Sequence, residues 1–354
     1  MGRLSVLFTA LAFAFIACPG NARSTETGSL SEVTFRNYSP LSSNAEMARR
    51  LLSPLKNAQL QKMLARGAQL RDQPIDLSQE KFALYVPPHM PAAGYGLIVF
   101  VSPWNAARLP DGWGPVLDQY GLISVTAARS GNDQSPLARR VPLALLAETN
   151  VAQLYRLDST RIIVAGFSGG SRMALRLALG YPDVFRGAIL NAGSDTIGND
   201  TIPLPPRDLF ARFQDMTHLV YLTGDEDRHN IAYDAASRHS LRDWCVFHVD
   251  QRTTLGGGHD AIDGTALSRA LDILAEPLDE DASRLAQCRA TIDSELNAKL
   301  AEIQSLTAAG RDAEANRMLD DIDAQFGGLA APQSVEFAAA LTAVADHETI
   351  HSKK

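Results

Sequence analysis

Residues 81–276 alternate short apolar runs with stretches of helical periodicity, and this alternation leaves a chain few ways to fold. The runs are "FALYVP" (82–87), "GLIVFV" (96–101), "GLISVTA" (121–127), "RIIVAG" (161–166), "GAILNAG" (187–193), "HLVYLTG" (218–224) and "CVFHVD" (245–250). All are rich in β-branched or aliphatic residues, the composition of strands. Between them, apolar positions recur at helical spacing over 137–155, 170–179 and 232–244. Strands that alternate with helices predict an α/β fold, a mostly parallel sheet covered on both faces by helices.

The flanks have a different texture. Residues 24–80 are polar and carry "AEMARRLLSPLKNAQLQKMLARG", which Pro54 divides into two short helices. This zone reads as a partly helical N-terminal extension to a central domain spanning 81–277. Beyond it the strands stop, and Leu285, Cys288, Ile292, Leu296, Leu300, Ile303 and Leu306 trace one long amphipathic helix. "AAGRD" turns the chain into a second helix with Ala315, Met318, Leu319, Ile322 and Phe326 on one side, and 335–344 make a third. Region 278–354 is therefore an all-helical appendage expected to pack on the central domain, with a module for a protein partner as the alternative.

At the start, Arg3 precedes the apolar run "LSVLFTALAFAFIA" and then "CPGNARS", the pattern of a signal peptide over 1–23. It predicts export to the periplasm or the extracellular space. The run is shorter than the ~20 apolar residues of a membrane helix, so no stable span is expected. Lipid anchoring at Cys18 is a secondary reading, because Phe15 in "FIAC" stands where leucine is expected, and an uncleaved anchor is another. After cleavage Cys245 and Cys288 remain, and an oxidising compartment favours a disulfide between them over two buried thiols. The net charge of −7, with no dense basic block, excludes nucleic acid or an anionic membrane as the main partner.

"GFSGG" (166–170) fits G-x-S-x-G, a weak pattern alone, since on the order of one in ten chains of this length carries it by chance. Its context is stronger. The motif follows the apolar run "IIVA" and opens the helical run "SRMALRLAL", the strand, sharp turn and helix that expose a nucleophilic serine. A serine hydroxyl needs a base to take its proton and a carboxylate to orient that base. In this arrangement the acid comes next in sequence and the histidine last. Ser168, Asp227 in "LTGDED" and His259 in "LGGGHD" follow that order, each just beyond the carboxyl end of an expected strand. Asp225 competes with Asp227, and Asp195 is a more distant third. His248 reads as structural, and His229 as a residue lining the site but too early in sequence for the base.

These residues also carry a family resemblance. "FALYVPP", "VAGFSGGSRMALRLALGYPDVFRGAILNAGS" and "LTGDED" followed by "GGGH" make residues 82–275 resemble the α/β-hydrolase superfamily. Within it, the chain is similar to secreted polyhydroxybutyrate depolymerases and feruloyl esterases. The resemblance implies an α/β-hydrolase fold, Ser168 as nucleophile, His259 as base and Asp227, three residues after Gly224, as acid. Such esterases carry His-Gly after the strand equivalent to "LIVFV", where a backbone amide completes the oxyanion hole. Here the chain reads "VSPWNAA", and Pro103 has no N–H to donate. Gly169 is then one oxyanion donor and Trp104 the expected second, with Ser102 and Asn105 as alternatives.

Phe167, Arg172 and His229, with Ser102 and Asn105, complete the expected pocket. About two dozen residues join "GAILNAG" to "HLVYLTG", too few for a large lid. The expected activity is hydrolysis of a small or polymeric carboxylic ester through an acyl-enzyme, with no metal or organic cofactor. A prolyl oligopeptidase-like peptidase is an alternative, set back by the missing propeller. A hydrolase fold that has lost catalysis and binds a partner is the other.

Overall fold

The central apolar runs become neighbours in one sheet. The computed structural model describes residues 24–278 and 281–351, so the expected signal peptide and Cys18 lie outside the described residues. Its strands are β1 (Gly28–Val33), β2 (Phe82–Val86), β3 (Tyr95–Val101), β4 (Leu122–Ala127), β5 (Leu157–Phe167), β6 (Gly187–Asn191), β7 (His218–Gly224) and β8 (Val249–Thr254). Among the described residues they form one eight-stranded sheet in the order β1-β2-β4-β3-β5-β6-β7-β8. β1 and β2 run antiparallel to their neighbours and the rest are parallel, with Val99 beside Val164, Val164 beside Ala188 and Ile189 beside Val220. Order and direction are those of the α/β-hydrolase fold. The order reverses between β3 and β5, which opens a crevice at the carboxyl ends of these two strands.

Both faces of the sheet are covered, which explains why its inner strands read as continuous apolar runs. Every residue of β3 is buried. On one face Ile98, Phe100, Ile163 and Val220 pack against α3 (Trp113–Tyr120) and α8 (Gly264–Ala275) through Trp113, Leu117, Leu267 and Leu271. On the other, Leu97, Val99, Val164 and Leu190 share a core with α4 (Val141–Leu154), α5 (Gly169–Gly180) and α6 (Arg207–Met216). Each such side chain contributes about 1.5–3 kcal/mol by leaving water.

Two strands depart from the sequence reading. β1 was not visible as a strand because "GSLSEV" is an edge with one solvated face and little apolar character. The run "CVFHVD" yields a strand only from Val249. Its first half instead closes α7 (Arg228–Asp243): Cys245 takes φ +59°, and the Val246 N–H donates to the Leu241 carbonyl at 2.8 Å. Val246 is thus buried as a helix stop, and the more polar "VDQRTT" forms the outer strand.

The flanking segments join the same core. α1 (Asn44–Leu51) and α2 (Pro54–Ala65) are separated where Pro54 stands. Arg50 of α1 donates to both oxygens of Asp183 at 2.6 and 2.9 Å, to the Gly180 carbonyl at 3.2 Å, and stacks on Tyr181. α9 (Ala282–Ala308) and α10 (Asp312–Phe326) bury Leu296, Leu300, Ile303, Leu319, Ile322 and Phe326 in the main core, and α11 (Gln333–His351) follows. A disulfide joins Cys245 to Cys288 of α9. Among the described residues no helix is long and apolar enough to cross a membrane.

Candidate active site

β5 delivers the chain to Phe167, and α5 begins at Gly169, so the direction reverses within one residue. That residue, Ser168, takes φ 56° and ψ −124°. A side-chain-bearing residue held there costs of the order of 1–3 kcal/mol. Two backbone hydrogen bonds fix it: the Ser168 N–H donates to the Asn191 carbonyl at 2.8 Å, and its own carbonyl accepts from Ser171 at 2.9 Å. The flanking glycines let strand and helix meet. A methyl on Gly166 would stand 2.1 Å from the Gly170 carbonyl oxygen, and one on Gly170 would stand 1.9 Å from that of Val101. Ser168 therefore sits half-buried at the amino end of α5, beside the crevice between β3 and β5.

The other two side chains arrive from the ends of β7 and β8. Asp227 caps α7, its carboxylate accepting from the Asn230 backbone N–H at 3.4 Å. His259 Nδ1 lies 2.6 Å from Asp227 Oδ2, and Nε2 lies 2.9 Å from Ser168 Oγ. With Nδ1–H donating to the carboxylate, Nε2 is the lone-pair nitrogen and accepts from the serine hydroxyl. The Asp227 side chain is 7% exposed, whereas that of His259 is 45% exposed. His259 reaches solvent while Asp227 is shielded from it.

Asn230 is a polar group of this site that sequence reasoning missed. Its Nδ2 lies 2.9 and 2.8 Å from the two Asp227 oxygens, and 2.9 Å from His259 Nδ1. A ring nitrogen that gives its proton to Asp227 has no lone pair for a second donor, so the amide serves the carboxylate. Burial pushes the Asp227 carboxyl up, but hydrogen bonds from His259 and Asn230 outweigh it and hold the group below the ordinary aspartate range. One turn further on, buried Asp234 accepts from the Thr223 hydroxyl and the Ser194 backbone, and burial raises its carboxyl to about 6. Spacings of three and seven residues from Asp227 on one helix were the available signal. Neither residue type marks such a position by itself.

The remaining expected residues divide. The Phe167 ring lies 5.0 Å from that of His259 and 6.3 Å from that of Trp104. Ser102 does not line the site as expected. It is fully buried, with its hydroxyl donating to the Trp104 carbonyl at 2.7 Å. The Asn105 carboxamide is committed to the Gly131 N–H and to Asp133. Arg172 pairs with Asp195 at 3.5 Å and lies over the Tyr233 ring, against which His229 packs edge-on. Asp225 is exposed, and its N–H donates to the Thr254 carbonyl. Among the described residues no group of three or more His, Cys, Asp or Glu side chains could hold a metal ion.

No sequence family and no curated protein matches this chain. Solved structures are similar to it in part. An S-formylglutathione hydrolase from Staphylococcus aureus is 12% identical, with 56% of this chain and 93% of that one covered and a TM-score of 0.45. A poly(3-hydroxybutyrate) depolymerase from Bordetella parapertussis is 18% identical over 59% of this chain and 88% of its own, with a TM-score of 0.40. A dipeptidyl peptidase 4 from Porphyromonas gingivalis is 15% identical over 56% of this chain, with a TM-score of 0.42, and this chain spans only 34% of that peptidase.

Proposed function

We propose that this chain is an exported serine hydrolase that cleaves carboxylic esters through an acyl-enzyme, with Ser168 as nucleophile, His259 as base and Asp227 as orienting acid. The observation that carries the proposal is the continuous relay Ser168 Oγ to His259 Nε2 at 2.9 Å and His259 Nδ1 to Asp227 Oδ2 at 2.6 Å, anchored on a strained elbow. As Ser168 Oγ attacks the ester carbon, His259 takes its proton, and ionised Asp227 stabilises the imidazolium. His259 then protonates the departing alcohol. A water activated by the same nitrogen attacks the acyl carbon, and Ser168 is released. The amide of Gly169, at the amino end of α5 where backbone N–H groups lack helical partners, is assigned as a donor to the charge that develops on the carbonyl oxygen.

An ester is assigned over a peptide on the segment "GYPDVF" after the elbow helix, which carries the resemblance to depolymerases and feruloyl esterases. Export is supported by the leader sequence and by the disulfide between Cys245 and Cys288. The hydrolytic unit is residues 81–277; residues 24–80 add β1 to its sheet, and α9 and α10 of the C-terminal region pack on its core. The test is labelling of the mature protein with a fluorophosphonate, mapping of the modified peptide, and assay on short esters and peptide anilides. Labelling at Ser168, and ester cleavage that vanishes in Ser168→Ala, are expected. A folded protein that stays unlabelled, or a Ser168→Ala variant that keeps full activity, would refute the assignment.

A further inference from the structure

The carbonyl oxygen of the proposed reaction needs more than one donor; in the loop after β3 the Trp104 backbone N–H is the expected one, while the polar side chains there are committed elsewhere. Pro103 has no N–H. The Ser102 side chain is buried on the Trp104 carbonyl, and the Asn105 carboxamide is bound to Gly131 and Asp133. A polar group does stand beside the nucleophile, but it comes from the loop after β4. A methyl on Gly169 would lie 2.1 Å from Asn132 Oδ1, 2.7 Å from its Cγ and 3.0 Å from its Nδ2. The Asn132 carboxamide therefore rests directly on the residue whose amide is the first donor. Glycine at 169 leaves open the space it occupies.

Asn132 is exposed, yet its backbone is held in place. Its N–H donates to the Pro103 carbonyl at 3.0 Å, and the neighbouring Gly131 N–H donates to Asn105 Oδ1 at 3.0 Å. Buried Arg140 donates to the Ser130 carbonyl at 2.9 Å and to the Ser102 carbonyl at 3.0 Å. These bonds stitch the loop after β4 to the loop after β3, on the rim of the crevice where the strand order reverses. The backbone that carries the Asn132 carboxamide is therefore fixed on that rim, within reach of the elbow.

We infer that the Asn132 carboxamide contacts the substrate at the reacting carbonyl, donating from Nδ2 to the oxygen that becomes negative, beside the Gly169 N–H. The inference rests on the ester-hydrolase reading above. When Ser168 Oγ bonds to the carbonyl carbon, the π pair moves onto oxygen and the hydroxyl proton moves to His259. When the intermediate collapses, the pair re-forms the carbonyl and the alcohol leaves with that proton. Asn132 gains and loses no proton; its hydrogen bond strengthens while the oxygen is charged.

The test measures kcat, KM and thermal midpoint on one short p-nitrophenyl ester. Asn132→Ala is expected to lower kcat on the order of 100-fold with KM little changed. Asn132→Asp keeps the size but replaces the donor with an acceptor, and should fall at least as far. Gly169→Ala should lower kcat as well, because its methyl displaces the carboxamide. Combining it with Asn132→Gly removes the collision and should restore the thermal midpoint without restoring kcat. Wild-type kcat in Asn132→Asp, or recovered kcat in the double variant, would show that Asn132 only packs against the elbow and would overturn the inference. A wild-type protein with no ester hydrolysis and no fluorophosphonate labelling would instead remove the reading beneath it.

Discussion

Asp227 is buried, doubly served by Asn230 and bonded to the ring nitrogen remote from the serine, so its charge and its geometry act together. Exchanging it for asparagine preserves shape but removes the acceptor that selects the tautomer. Asp227→Asn should therefore lower kcat by about 10⁴-fold, as expected when the ring presents the wrong nitrogen. Exposed Asp225 does not touch His259, so Asp225→Asn should stay close to wild type in the same ester assay. Asn230→Ala should fall between them, by roughly 10–100-fold, since a hydrogen bond to a charged group is worth about 1.5–3 kcal/mol. Equal losses in the two aspartate variants would contradict the assignment of the acid.

The elbow and the end of α7 show how whole elements are locked. Gly170→Ala places a methyl 1.9 Å from the Val101 carbonyl oxygen, and that atom can move only if β3 moves. The expected outcome is a stability loss of about 1–3 kcal/mol, together with slower fluorophosphonate labelling, because Ser168 shifts with the turn. The Cys245–Cys288 disulfide acts elsewhere. It closes a separation of 43 residues and pins α9 beside the start of β8, whereas His259 follows the far end of that strand. Cys288→Ser should lower the thermal midpoint, consistent with about 2–4 kcal/mol, while Ser168 labels at its normal rate. Labelling lost in step with stability would show that the staple also shapes the site.

The flanking segments brace the molecule away from Ser168. Arg50 grips Gly180, the end of α5 opposite Ser168, a helix length of about 18 Å away. Asp323 of α10 accepts from the Ser53 hydroxyl and from the Leu55 N–H at 3.0 Å, linking the C-terminal helices to the start of α2. Stability should also respond to pH in a definite direction. Asp234, raised by burial to about 6, and Asp323 and Glu148, raised for the same reason, bind a proton more tightly folded than unfolded. Their contribution is complete below about pH 4, the ordinary carboxylate range, and is lost as the pH rises through the folded values. For Asp234 the loss is roughly 3 kcal/mol. Asp234→Asn should flatten the fall in thermal midpoint between acid and neutral pH, and a curve parallel to wild type would refute this.

The alternation of apolar runs and helical periodicity was enough to predict a parallel sheet, and "GFSGG" between a strand and a helix was enough to predict the elbow at Ser168. Both depend on residues that are neighbours in the chain, whose sterics and burial pattern are local. The edge strand β1, the late start of β8, the burial of Ser102, and the placement of Asn230 and Asn132 near the relay were not legible. Edge strands lack a fully apolar signature, and Cys245 stops a helix in a run that reads as a strand. Asn230 lies one helical turn from Asp227, but its residue type does not mark such a position, whereas Asn132 and Gly169, separated by tens of residues, meet only when sheet register and loop bracing bring them together. Long-range convergence of that kind, set by packing, decided which of the many asparagines and aspartates stand beside Ser168.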